Sequence, residues 1–294
     1  MDEVIIGLNN KTTYRFFTLS RFILFLIIFR VLFLPTTSNS QNDTAIEKVG
    51  FNKKYLVSYW KDTKIIVSTP FHWKLKQWSV FAGVVGIAAV TYIYDEEIYN
   101  AFQRNRNETT DAISKYAIEP WGSGLYSISL LGVIYLTGHN NNHHKNVALT
   151  GLKAYLLSGG ASFVFKHLFH RHRPGDSSPP NPYLWEGPYP FTTDYTSFPS
   201  GHTTTAFAIA SVLAQGYKDK LWIGLTSYSV ATLVGLSRIN DGKHWASDVV
   251  VGAALGTFIG TVLSRINFNE RSNLSLNPAA FQGGYGINLT YRLD

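Results

Sequence analysis

From Trp78 onward the chain alternates between apolar runs and short polar breaks. Six runs recur, at about 78–94, 124–138, 147–165, 203–217, 221–237 and 247–264. Their length and their frequent Gly, Ala and Ser predict helices that pack closely. Gly252, Gly256 and Gly260 stand four apart and share one helical face. Residues 174–199 are too rich in proline for regular structure and predict a long loop. Residues 41–77 are polar and basic, carrying Lys48, Lys53, Lys54, Lys61, Lys64, Lys74 and Lys76. Beyond 268, Leu274-Ser-Leu and Ile287-Asn-Leu-Thr-Tyr-Arg-Leu alternate about Gly283-Gly284, the pattern of a short β-hairpin. The expectation is an all-α chain: an antiparallel bundle of about six helices with a short, β-hairpin-like C-terminal tail. It divides into 1–40, a polar region 41–77, a helical domain 78–267 and the tail 268–294.

The first segment concerns compartment. Lys11, Arg15 and Arg21 precede the apolar stretch 22–34, and Ser38-Asn39-Ser40 follows. This is the pattern of a secretory signal cleaved after Ser40, with an uncleaved anchor as the alternative. Either puts the chain in a cell envelope. A net charge of +7 suits an anionic partner, but basic residues do not alternate with aromatics, so nucleic acid is not expected. The chain has no cysteine, which excludes a disulfide framework, a thiol nucleophile and a Cys-ligated metal.

The candidate chemistry lies in three blocks at the ends of apolar runs: Lys166-x6-Arg173-Pro174, Ser197-Phe-Pro-Ser-Gly-His202, and Ser237-Arg238-x5-His244-x3-Asp248. In an antiparallel series, block one ends the third helix and block two begins the fourth. Block three joins the fifth to the sixth. Alternating direction brings all three to the same end, opposite the Lys218-Asp219-Lys220 turn and the 139–146 loop.

Lys166 and Arg173, seven apart, share a helix face until Pro174. Their ammonium and guanidinium suit neighbouring phosphate oxygens. Ser200, Gly201 and His202 open a helix, where unpaired N–H groups favour an anion and Gly201 lets the backbone approach it. Arg238 adds a third cation. His244 and Asp248 are four apart, so the carboxylate can hold one ring nitrogen and present the other as a nucleophile. Such a site grips a phosphate and breaks its ester bond without a divalent metal, one histidine attacking while the other protonates the leaving alkoxide.

These three blocks, complete and in order, resemble the signatures of the type 2 phosphatidic acid phosphatase and vanadium haloperoxidase superfamily. The resemblance covers roughly 78–267. It implies a helical bundle in which Lys166, Arg173 and Arg238 bind phosphate with Ser200 and Gly201. It further implies that His202 is the general acid, that His244 forms a phosphohistidine and that Asp248 orients His244. The function implied is a lipid phosphatase acting on an envelope lipid phosphate or diphosphate, such as phosphatidate, phosphatidylglycerophosphate or a polyprenyl diphosphate. No cofactor is expected, and vanadate is expected to inhibit. The alternatives are a haloperoxidase, which would hold vanadate as cofactor, and a non-catalytic anionic-lipid binder.

Taken singly, each block has a plainer reading. Lys166, Arg171 and Arg173 could be a stop at a membrane surface, Pro-Ser-Gly an ordinary turn, and His244 with Asp248 a surface pair. His139, His143 and His144 make a weak metal candidate. His167, His170 and His172 read as charge-tuning or solvent-facing. Asp95, Glu96 and Glu97 end the first helix with no mark of an acid/base pair, and Trp185, Tyr189 and Phe191 offer contacts to an apolar substrate tail. The partners expected are a lipid phosphate and a membrane. The apolar runs fall short of the roughly 20 residues a span wants, and Lys153 interrupts the third. If all six cross, the Lys-rich regions share the cytoplasmic side and the site faces away from the cytosol.

Overall fold

Glycine decides how the central helices meet. In the computed structural model, which describes residues 50–139, 141–188 and 194–268 together with the backbone of 274–281 and 284–291, each predicted run is a helix. They are α2 (Leu75–Ile93), α6 (Leu125–Thr137), α7 (Asn142–Phe169), α8 (Gly201–Gly216), α9 (Leu221–Asn240) and α10 (Ala246–Phe268). The stripe Gly252, Gly256 and Gly260 of α10 lies against the backbone of α8. A Cβ at Gly256 would come 2.1 Å from the Thr204 carbonyl oxygen, one at Gly260 2.4 Å from that of Ala208, and one at Gly252 2.7 Å from that of Ser200. Only hydrogen side chains permit this approach. It brings the start of α8 beside the start of α10.

Around that contact lie Val147 and Ala154 of α7, Ala208 and Val212 of α8, Val234 of α9 and Leu263 of α10, all with no exposed surface. Helix α7 runs 28 residues, longer than its apolar stretch, because Asn141 caps its first turn by accepting from the amides of His143 and His144. Helices α2, α7 and α10 are long and apolar enough to cross a membrane. Helix α2 buries none of its side chains and leaves Val80, Val85, Ile87 and Val90 exposed, as a lipid-facing helix would. The bundle is membrane-associated.

Shorter elements were not foreseen. Helix α1 (Lys53–Ser68) occupies the Lys-rich stretch and is capped by Asn52, whose side chain accepts from the Tyr55 amide at 2.9 Å. Its buried Asp62 meets Lys153 of α7 at 2.5 Å, and the Lys153 ammonium also donates to Ser58 Oγ and faces the Tyr55 and Tyr59 rings. Lys153 therefore interrupts its apolar run because a partner helix supplies the counter-charge. Between α2 and α6 lie α3 (Asp95–Asn105), α4 (Glu108–Ile113), a π turn (Ser114–Ile118) and the one-turn α5 (Glu119–Gly122). After α10, β1 (Leu274–Phe281) pairs antiparallel with β2 (Gly284–Tyr291), Pro278 opposite Ile287, which is the hairpin that the alternation predicts. The signal-or-anchor pattern at 1–40 lies outside the described residues, as do Tyr189 and Phe191.

Candidate active site

Block one departs from the helix sooner than the spacing implies. Helix α7 ends at Phe169 because His170 adopts a left-handed conformation, φ 40°, while its amide still bonds the Lys166 carbonyl at 3.0 Å. Arg173 is thus off the helix, not on one face with Lys166 up to Pro174. The two cations are reunited across Thr196. Lys166 Nζ donates to its carbonyl at 2.8 Å, and Arg173 Nη2 donates to its Oγ1 at 3.0 Å.

Ser200 stands at the N-cap of α8. Its amide donates to the Asp248 carbonyl at 3.1 Å and its hydroxyl bonds Thr203 Oγ1 at 2.8 Å. Gly201 adjoins Lys166: a Cβ there would lie 4.0 Å from Nζ. His202 is partly exposed. Its ring rests over Gly122, where a Cβ would come 2.7 Å from His202 Cβ, and its Nε2 lies 3.7 Å from Glu119 Oε1. The same Glu119 oxygen lies 3.4 Å from Arg238 Nη1, while Arg238 Nη2 donates to Asp241 at 2.6 Å.

His244 sits between α9 and α10, nearly fully buried. Its Nδ1 donates to the Ser197 carbonyl at 2.6 Å, and Asp248 Oδ2 stands farther off at 3.8 Å. A carbonyl can only accept, so Nδ1 carries the proton and Nε2 keeps its lone pair. The direct Asp248–His244 hold expected from the four-residue spacing is replaced by an indirect one. Asp248 Oδ2 accepts from Ser197 Oγ at 2.5 Å and from the Trp245 amide at 3.0 Å, so the carboxylate fixes Ser197 and Ser197 fixes the imidazole. The physical reason is Arg171, whose Nη1 holds Asp248 Oδ1 at 2.5 Å and draws the carboxylate away from the ring.

The three blocks form one electrostatic cluster. His202 feels the charges of Arg238, His244, Lys166 and Arg173. Burial, reinforced by Lys166 and Arg173 and opposed by Asp248, pushes His244 down to about 4.

Two contributors carry no motif. Glu119 lies outside every block and gives no sequence signal beyond being a carboxylate next to a proline. Arg171 is not a surface stop. It is buried, bonded also to Asp95, and its guanidinium stands over the Tyr92 and Trp185 rings. His170 and His172 are buried rather than solvent-facing: His170 Nδ1 bonds the Gly187 carbonyl, and His172 Nε2 bonds Glu186 at 2.7 Å. Trp185 pins the loop, donating to Tyr92 Oη at 3.1 Å and packing on Phe198. At the far end, His143 bonds the Gly216 carbonyl and His144 bonds Tyr217 Oη, both at 2.7 Å.

The segment holding all three blocks is where comparison with known proteins is decisive. Residues 148–272 match the PAP2 superfamily model. This match agrees with the resemblance read from the motifs. Over 105 residues the chain is 46% identical to a lipid A 1-phosphatase of Porphyromonas gingivalis, covering 35% of this chain and 20% of that protein. Over 134 residues it is 29% identical to a lipid A 4'-phosphatase of the same organism, covering 44% and 56%. The matches thus span from a fifth to just over half the length of these two relatives. The crystal structure of a transmembrane PAP2-type phosphatidylglycerolphosphate phosphatase from Bacillus subtilis superposes with a TM-score of 0.51 at 22% identity, over 67% of this chain and 98% of that one. At that identity the likeness concerns the fold, and it agrees with the all-α bundle.

Proposed function

We propose that this chain is a PAP2-type lipid phosphatase, removing phosphate from a lipid phosphomonoester or diphosphate of the cell envelope through a phosphohistidine. The observation that carries the reading is the convergence of Lys166, Arg173 and Arg238 on two imidazoles at one end of an apolar bundle. A phosphoryl group in transfer spreads negative charge over three equatorial oxygens, and three cations with the Gly201 amide supply donors for it. The same cations repel a divalent metal, so none is required on this reading.

His244 attacks phosphorus through Nε2, the nitrogen that its bond to Ser197 leaves with a lone pair. As the N–P bond forms, the P–O ester bond breaks and the departing alkoxide takes a proton from His202. Water, deprotonated by His202, then cleaves the phosphohistidine, releasing inorganic phosphate and restoring His244. Burial and the neighbouring cations push His202 down to about 3. The proton it donates therefore has to be held against them by the arriving phosphate, with Glu119 standing 3.7 Å from its Nε2 and 3.4 Å from Arg238 Nη1.

An apolar, membrane-associated bundle favours a substrate with lipid chains over a soluble ester. The likeness to a lipid A 1-phosphatase and a lipid A 4'-phosphatase favours a lipid A phosphate as the first candidate, ahead of phosphatidate, phosphatidylglycerophosphate and polyprenyl diphosphates. We assign the site to the side away from the cytosol, because the Lys218-Asp219-Lys220 turn belongs to the opposite end of the bundle and basic turns favour the cytoplasmic side. The deciding experiment presents purified protein with this panel and with soluble phosphoesters. Phosphate release should persist in chelator, be blocked by vanadate and vanish in His244→Ala. Undiminished release by that variant would refute the mechanism. Bromide oxidation by peroxide after vanadate loading would point instead to the haloperoxidase chemistry.

A further inference from the structure

Behind the phosphate site lies a buried charge relay centred on Arg171. Arg171 is 1% exposed, and all five of its N–H donors are taken. Nε and Nη2 donate to the Pro182 carbonyl at 3.2 and 2.9 Å, and Nη1 donates to Ser247 Oγ at 2.7 Å and Asp248 Oδ1 at 2.5 Å. The remaining Nη2 donor goes to Asp95 Oδ2 at 2.7 Å. Asp95, fully buried, also accepts from the Ser247 amide at 2.9 Å and from Ser247 Oγ at 2.5 Å. Burial pushes its carboxyl up, yet every polar neighbour is a donor, the surroundings of a carboxylate.

Two carboxylates therefore share one guanidinium, and the group as a whole carries one negative charge. Its outer member is Asp248, which fixes Ser197, which in turn fixes His244. When His244 attacks, its ring becomes positive, and the surplus charge of the relay is what that cation faces. Resting on the proposed phosphatase reading, we propose that Asp95 is a positioning residue for the reaction. Through Arg171 it sets the place and net charge of Asp248, and so the orientation and charge tolerance of His244. Asp95 stands at the first turn of α3, outside the PAP2 segment, so the site extends beyond the matched residues.

Asp95 bonds Arg171 and Ser247, not the phosphate-binding cations. Asp95→Asn keeps the shape but removes the surplus charge. It should lower kcat about 10- to 100-fold, the size of loss seen when the hydrogen-bonded partner of a metal-bound imidazole is removed, while KM stays within about twofold. The loss should also be non-additive with Asp248→Asn, because both changes act along one chain of contacts. A purely structural role would instead lower activity in step with the folded fraction, equally in either background. If Asp95→Asn does not fold, Ser247→Ala decides. It removes the hydroxyl bridging Arg171 and Asp95, and should show the same kcat-selective loss at smaller size. Wild-type kcat in whichever variant folds, or additivity with Asp248→Asn, overturns the relay while leaving a His244-dependent phosphatase intact. A wild-type protein that releases no phosphate, or does so without His244, removes the underlying reading and the relay with it.

Discussion

His244 shows how much a single side chain depends on its surroundings. A free imidazole titrates near 6.5, but this one is held at about 4, chiefly by burial. The lowered value keeps the ring neutral, and therefore nucleophilic, from neutral pH down to about 4. The sign for stability follows: between roughly 6.5 and 4 the unfolded chain binds a proton here that the folded chain refuses, so stability falls as pH falls through that window. A histidine ¹⁵N titration in detergent micelles should find His244 protonating near 4, and a midpoint near 6.5 would contradict its burial between the blocks. The motif residues were legible because each lies in a short local pattern. Ser197 was legible as a letter of the second block but not in its role. That its carbonyl, rather than Asp248, reaches the ring depends on where Arg171 pulls the carboxylate.

Among the elements, the α8–α10 contact carries the site. Gly256→Val would drive a branched side chain into the Thr204 carbonyl, 2.1 Å from the Cβ position. Such overpacking costs about 1–3 kcal/mol or more, so thermal unfolding should begin markedly earlier and phosphate release should fall as the blocks part. Gly83→Ala on α2 is the control, since nothing lies within 4 Å of its Cβ position. Its melting temperature should hold or rise slightly, as alanine replaces glycine in a helix. The stripe itself could be read from the four-residue spacing of Gly252, Gly256 and Gly260. The early end of α7 could not, because the left-handed turn at His170 is fixed by the inward pull on Arg171 and by the bond from His170 to Gly187.

At the scale of the whole molecule, a second buried ion pair ties α1 to the bundle. Asp62→Ala would strand the Lys153 ammonium inside an apolar helix, and breaking one side of a buried pair costs about 3–5 kcal/mol. Unfolding in detergent should detect this loss, and the double change Asp62→Leu with Lys153→Met should recover most of it. Equal stability of the single and double variants would show the pair to be exposed in the membrane-embedded protein. Sequence by itself determined the helical class, the six apolar helices, the hairpin pattern and the three blocks at one end of the bundle. All of these follow from periodicity and parity, which are local or nearly so. Only the tertiary structure decided that Asp62 answers Lys153, that Glu119 stands beside His202, and that Asp95 and Asp248 share Arg171. Those partners lie from 76 to 91 residues apart, and periodicity says which face a residue occupies but not which distant charge it meets once helices are packed to within a hydrogen bond.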